Sequence, residues 1–187
     1  MRFIDHSDLE GKHSFLSPSN SSWLRYTEDK LVMRYDVFQN AVRGTRLHAL
    51  AKDAIDLKVK FADTDQTINK YVNDAIGFKM STEQTLYYSS NCFGTADTIS
   101  FRQRMLRIHD LKTGAHVAKM EQLVVYSALF CLEYRIHPKD IDIELRIYQN
   151  DEVVVYTPDT EEIEFIMEKI IESDKLLDKL KAEDFME

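Results

Sequence analysis

Residues 92–126 read CFGTADTISFRQRMLRIHDLKTGAHVAKMEQLVVY, and the alternation within this stretch decides the fold. Apolar side chains recur at every second position on both sides of a short link at Arg102-Gln103. That period predicts strands over 92–101 and 104–111, joined as a hairpin that lacks its favoured glycine. Side chains two apart share a face of a strand, so Asp110 and Lys112 lie with Leu106 and Ile108. By the same count Asp97 lies with Phe93, Ile99 and Phe101. Two carboxylates and an ammonium in apolar rows are expensive to bury. The expense is accounted for if they hold metal ions or work on a phosphate. Thr113-Gly114 ends the second strand, and a helix over 117–134 follows, closed by His137-Pro138. It is apolar almost all round, which predicts burial between layers. Gln122 and Tyr126, four apart, share a face. Taken locally, they read as the polar edge of a core helix.

Upstream, Ser17-Pro18 predicts a short helix running through Trp23 toward Tyr35, with Ser17 as cap and Trp23 as a core anchor. A second helix is expected over 37–57, with Gly44 inside it and His48 one turn on. A lone helical histidine is ordinarily a surface or core residue. A third helix over 62–79 follows the cap region Asp63-Thr64-Asp65 and stops at Gly77. A strand is expected over 83–88, with Glu83, Thr85 and Tyr87 on one face and a turn at Ser89-Ser90-Asn91. Downstream, strands over 141–148 and 152–156 form a second hairpin, and Pro158-Asp159-Thr160 opens a last helix over 160–181. This order predicts an α/β or α+β fold, a mixed central sheet of about five strands flanked by helices. The body spans 1–158, and 159–187 is an acidic helix expected to pack on the same domain, its apolar stripe facing either that domain or a second copy.

The chain has 187 residues, 44% apolar and 30% charged, which is the balance of a globular protein able to bury a core without staples. The net charge of -8 argues at first against nucleic acid, but residues 159–187 hold eleven acids and four lysines. The rest is nearly neutral, and Arg43, Arg46, Arg102, Arg104, Arg107, Lys112 and Lys119 gather around the central stretch, compatible with a local basic groove. Cys92 and Cys131 sit in apolar runs and read as buried thiols. No cysteine ladder suggests zinc or an iron–sulfur cluster. With no secretory opening and no membrane-length apolar run, the expected compartment is intracellular, reducing and cytoplasmic.

Each motif is weak alone. Their ordered set is Gly44-Thr45-Arg46-Leu47-His48, Glu83, Gly94-Thr95-Ala96-Asp97, Asp110-Leu111-Lys112-Thr113-Gly114 and Gln122 with Tyr126. The set resembles the PD-(D/E)XK nuclease superfamily, and within it the RecB-like branch. Leu16-Ser17-Pro18-Ser19 followed by Trp23 resembles small phage-borne exonucleases of that branch, and the likeness runs from about Leu16 to Tyr156. The resemblance implies a restriction-endonuclease-like core. It makes Asp97, Asp110 and the Leu111 carbonyl ligands of Mg²⁺ or Mn²⁺, and Lys112 the group that orients or deprotonates the attacking water. It makes His48 an added ligand, against the local reading, and Glu83 an upstream acid. Gln122 and Tyr126 would orient the lysine or touch the DNA backbone. Arg43, Arg46, Arg102 and Lys119 are the expected DNA contacts. Ala96 stands where the superfamily's proline would be, and the cluster cysteines of some relatives are missing. The function implied is a metal-dependent deoxyribonuclease, an exonuclease of phage recombination or replication, partnered by DNA and by a single-strand annealing protein or recombinase, with homo-oligomers open. Two alternatives stand beside it: a non-catalytic DNA-end-binding or recombinase-docking module on the same fold, and an α/β protein whose buried acids simply pair with arginines.

Overall fold

A computed structural model describes residues 4–9, 11, 14–114 and 117–184. Its centre is a five-stranded sheet in sequence order: β1 (Ser81–Ser89), β2 (Cys92–Arg102), β3 (Met105–Leu111), β4 (Asp142–Gln149) and β5 (Glu152–Tyr156). All neighbours are antiparallel except β3 and β4, which run parallel. A parallel pair needs a crossover, and α3 (Glu121–Tyr134) supplies it. Around the sheet stand residues 46–56 of α1 (Glu28–Asp56), α2 (Thr67–Gly77) and α4 (Thr160–Asp184). The fold is therefore α+β, a mixed sheet flanked by helices. Of the three tight hairpins, those at Gln103-Arg104 and Asn150-Asp151 have positive φ at both central residues. That matches the twist of the flanking strands, and asparagine and aspartate tolerate it better than Gln103 and Arg104 do.

The chain divides into two compact units, Met1–Thr45 and Arg46–Glu187. In the first, Phe15 meets Tyr35 and Phe38 with ring centroids 5.2 and 5.5 Å away. Trp23 Nε1 donates to the Ser17 carbonyl at 3.1 Å. The second unit holds the sheet.

Strand alternation sorts the second unit into layers. Leu106, Ile108, Leu145 and Ile147 point to one face and pack on Leu123, Val124 and Leu129 of α3. Ile163 and Ile170 of α4 close the far side of α3, so this helix is buried between sheet and α4, as its all-round apolarity predicts. On the other face Leu111 and Tyr148 pack with Ala51, Ala54 and Ile55 of α1 and with Tyr71, Val72 and Ala75 of α2. No helix among the described residues is long and apolar enough to cross a membrane.

Several boundaries differ from the expected ones. Ser17 opens only a turn, a single 3-10 turn follows at Ser21–Arg25, and Tyr26 is extended. One helix, α1, then runs from Glu28 where two are expected, because no proline or glycine between Tyr35 and Val37 interrupts it. Its first turn is capped by Thr27, whose Oγ1 accepts from Lys30 N at 3.4 Å. Helix α2 begins at Thr67, since Asn69 Nδ2 spends its bonds holding Ala62 and Thr64 in a loop. Helix α3 begins at Glu121, with Leu123 and Val124 N–H both donating to the Met120 carbonyl.

Beneath the sheet lies a buried polar layer. Tyr148 donates its hydroxyl to Asp74 Oδ2 at 2.6 Å, so His109 Nδ1, 3.2 Å from the same oxygen, must carry the ring proton. His109 Nε2 is buried without a hydrogen bond, which suits a bare lone pair and not a cation. Burial, with Arg146 and Arg107 adding, pushes the His109 pKa down from 6.5 to about 3. The unfolded chain therefore binds this proton first. Stability from a neutral His109 is complete above the unfolded pKa and is lost as pH falls from about 6.5 toward 3. Denaturant unfolding is expected to show a steeper loss between about pH 7 and pH 5 for wild type than for His109→Gln. Parallel profiles would contradict it.

Candidate active site

The β2–β3 ladder stops at Thr98↔His109. Asp97 is the first residue beyond it, and its Oδ2 accepts the Leu111 N–H at 3.1 Å, bridging strands that have begun to part. The alternation of β2 slips at this point. Gly94 faces Tyr126 of α3, and Phe101 meets Phe130 of the same helix, although an odd number of residues separates them. Opposite the slip Glu83 has φ +46, between the pairs Thr82↔Thr98 and Gln84↔Ala96. Asp97 thus does not share a face with Ile99 and Phe101, as regular alternation predicts, but keeps the side of Phe93, away from Gly94, Ala96 and α3. Phe93 packs on Tyr87, 6.4 Å between ring centroids. The slip frees the Asp97 carboxylate to meet α1, where His48 Nδ1 lies 3.4 Å from Oδ2.

Strand β3 keeps its period, so Asp110 stands on the α3 face with Leu106 and Ile108. Its side chain is 5% exposed. Lys112 Nζ donates to Asp110 Oδ1 at 3.0 Å and stands 2.9 Å from Oδ2, off the angle a hydrogen bond needs. Oδ2 is left buried with no hydrogen bond. Lys112 Nζ also donates to Gln122 Oε1 at 3.0 Å, Gln122 Nε2 to Tyr126 Oη at 3.3 Å, and Tyr126 Oη to the Thr95 carbonyl at 2.8 Å. This relay runs from β3 through α3 to β2. Burial and then the charge of Asp97 raise the Asp110 pKa, against the attraction of Lys112 and His48. Two carboxylates that disfavour each other's charge favour a cation between them.

The other expected residues lie as follows. Leu111 is buried on the opposite face of β3. Glu83 is exposed, its Oε2 3.9 Å from Lys52 Nζ, which binds Asp56 more closely at 2.7 Å. Arg46 and Lys119 are exposed, and Arg43 belongs to the first unit. Arg102 sits at the Gln103-Arg104 hairpin, at the end of β3 away from Asp110. The expected arginine gathering is dispersed: Arg104 reaches the Asp140 carbonyl at 2.6 Å, and Arg107 binds Glu144 at 3.1 Å. No arginine pairs with Asp97 or Asp110 among the described residues, so the arginine-paired reading of the acids is not what the fold builds.

Three participants are not visible in the motifs. Lys52 follows His48 by one turn, the one case in which helical spacing alone could have pointed to the site. The Thr95 carbonyl has no sequence signature. Tyr71, hydrogen-bonded to Thr98, looks like any apolar position of α2, yet burial and the charges of Asp97 and Asp110 push its phenol well above the usual range. Among the described residues no three His, Cys, Asp or Glu side chains converge as a ready metal shell. What the site offers is the buried Asp110 Oδ2, which makes no hydrogen bond, and the Asp97 carboxylate, hard oxygen donors of the kind Mg²⁺ and Mn²⁺ take. No family model, no curated protein and no solved structure matches this chain.

Proposed function

We propose that the chain is a metal-dependent deoxyribonuclease of the PD-(D/E)XK type, RecB-like, acting from DNA ends in phage recombination or replication. One observation carries the reading. Asp110, Lys112, Gln122 and Tyr126 form one hydrogen-bonded chain where β2 and β3 part, Asp97 holds the adjoining Leu111 N–H, and Asp110 Oδ2 is buried without a hydrogen bond. Asp97, Asp110 and the Leu111 carbonyl would hold Mg²⁺ or Mn²⁺, and His48 would join the shell by leaving Asp97. Bound there, the ion supplies Lewis-acid polarisation of the phosphate and a more acidic water. Lys112, fixed between Asp110 and Gln122, orients the attacking water and its proton, and Tyr126 fixes Gln122 in turn. Water oxygen bonds to phosphorus, the phosphorus–oxygen bond to the leaving nucleotide breaks, and that oxygen takes up a proton. DNA is the substrate, a single-strand annealing protein or recombinase the expected protein partner, and the host cytoplasm the compartment.

A second reading has its own support. Among the described residues no three acidic or histidine side chains converge, and the second reading is a DNA-end-binding module on the same fold that does not cleave. End-labelled linear DNA and closed circular DNA, each with Mg²⁺, with Mn²⁺ and with chelator, separate the two. The expected result is loss of linear DNA with either ion, intact circles, and no loss in chelator. Cut circles would make the enzyme an endonuclease. Linear DNA bound but uncut under every ion would establish the second reading.

A further inference from the structure

Two adjoining hollows, about 540 and 430 Å³, lie at the hairpin end of the sheet. Lys79 and Arg102 line both, and Lys58 lines the second. All three side chains are exposed, and none has an ion pair among the described residues. Two other charged groups line the first hollow: Arg107, committed to Glu144, and Asp142 at its edge. The floor of the second is apolar, built from Ile55, Ile76 and Met80. In an acidic protein, three unpaired cations over an apolar floor make a surface for a polyanion with apolar parts.

The backbone adds an independent argument. Lys58 N donates to Ile55 O and Val59 N to Ala54 O, while Lys79 N donates to Ile76 O and Met80 N to Ala75 O. Both helices therefore end in the Schellman arrangement, with lysine at the left-handed residue, φ 58 at Lys58 and 54 at Lys79. Glycine is the ordinary occupant, and a residue with a Cβ is strained there. A cation complements the helix dipole and offsets part of that strain. The dipole does not explain why both lysines face one double hollow with a third cation from a separate hairpin.

We propose that this double hollow is a second contact site for the sugar–phosphate backbone of a single DNA strand, remote from the carboxylates. Arg102 pairs with Met105, five residues before Asp110, which places the hollow roughly 17 Å along the strand from the acids. The site rests on the reading of the chain as acting on DNA, and the experiment separates the two. Anisotropy of a labelled oligothymidylate of about 20 nucleotides is measured in chelator across a salt series. The proteins are wild type and a triple variant, Lys58→Gly with Lys79→Gly and Arg102→Gln. Glycine suits both left-handed positions, so the triple variant is expected to melt close to wild type. Its affinity should fall at least about tenfold, and its salt slope by about 2, near 0.7 for each phosphate no longer neutralised. A triple variant with wild-type affinity and slope overturns the groove and leaves the nuclease reading intact. A wild type that binds no DNA overturns both. Should the triple variant not fold, Lys79→Gly and Arg102→Gln decide singly: each should lower the slope by about 0.7, and unchanged slopes in both overturn the groove.

Discussion

Asp110→Asn is expected to lose at least about a thousandfold in metal-dependent cleavage while unfolding at the wild-type temperature or above it. The two halves of this result have one cause. Asp110 is a carboxylate held out of water beside Asp97, and its pKa is raised by burial first and by that neighbour second. Its charge is therefore a burden on the fold. The amide keeps the shape, removes the burden and still accepts from Lys112. It removes the anionic oxygen that the proposed ion requires, and a neutral amide is a poor substitute for a carboxylate toward Mg²⁺. For a chain of this size each kcal/mol relieved raises the melting temperature by roughly 2–4 °C. Cleavage rates with Mg²⁺ and Mn²⁺, read beside thermal melts, make the check. An Asp110→Asn protein that cleaves as wild type does would end the proposed mechanism.

Gly94→Ala is expected to slow cleavage by about 10²-fold without unfolding the protein, although Gly94 touches no proposed ligand. A Cβ built on Gly94 meets Tyr126 Cε1 at 2.8 Å, Oη at 3.4 Å and Cζ at 3.6 Å. The ring must move, and its hydroxyl is the link between Gln122 and the Thr95 carbonyl. Gln122 in turn holds Lys112 Nζ. One methyl on β2 is thus passed through α3 to the lysine on β3. The route is testable as a thermodynamic cycle. With Tyr126→Ala already in place the added methyl meets no ring, so Gly94→Ala should then cost little further rate. Fully additive losses would show that Gly94 acts by another path.

How much of this is legible in the sequence follows from which strands are regular. Strand β3 keeps its period from Leu106 to Leu111, so counting assigns Asp110 to the α3 face. The pairing of Gln122 with Tyr126 follows from helical spacing. Asp97 stands out as an acid among apolar residues, but counting back from Ile99 and Phe101 gives its direction wrongly. The slip that turns it depends on a left-handed Glu83 in the neighbouring strand, and glutamate gives no warning of that conformation. The arginines between Arg102 and Arg107 look like one patch in the sequence. A hairpin turns between Arg102 and Arg104, and Arg107 stacks on Phe78 with its guanidinium carbon 4.5 Å from the ring centroid. Lys58 and Lys79 are inconspicuous because they meet only after two helices have stopped, at left-handed positions that hold lysine where glycine is usual. The two expected N-terminal helices fuse for the converse reason, since capping signals at Ser17 do not outweigh an unbroken helical run from Glu28.

The relay has a consequence for assembly. Thr98 to His109, Asp97 to Leu111, Lys112 to Gln122 and Thr95 to Tyr126 close loops of 11, 14, 10 and 31 residues. Loop-closure entropy grows only with the logarithm of length, and all four closures fall within one hairpin and the helix that follows it. Of the proposed side-chain ligands beside Asp97 and Asp110, His48 alone comes from outside that stretch. The acids and their lysine therefore belong to a segment of low contact order, while β4, which must wait for the α3 crossover before it can pair in parallel, belongs to the slower part of the topology. On this geometry the proposed catalytic arrangement is laid down locally, and the distant elements arrive to exclude water from it.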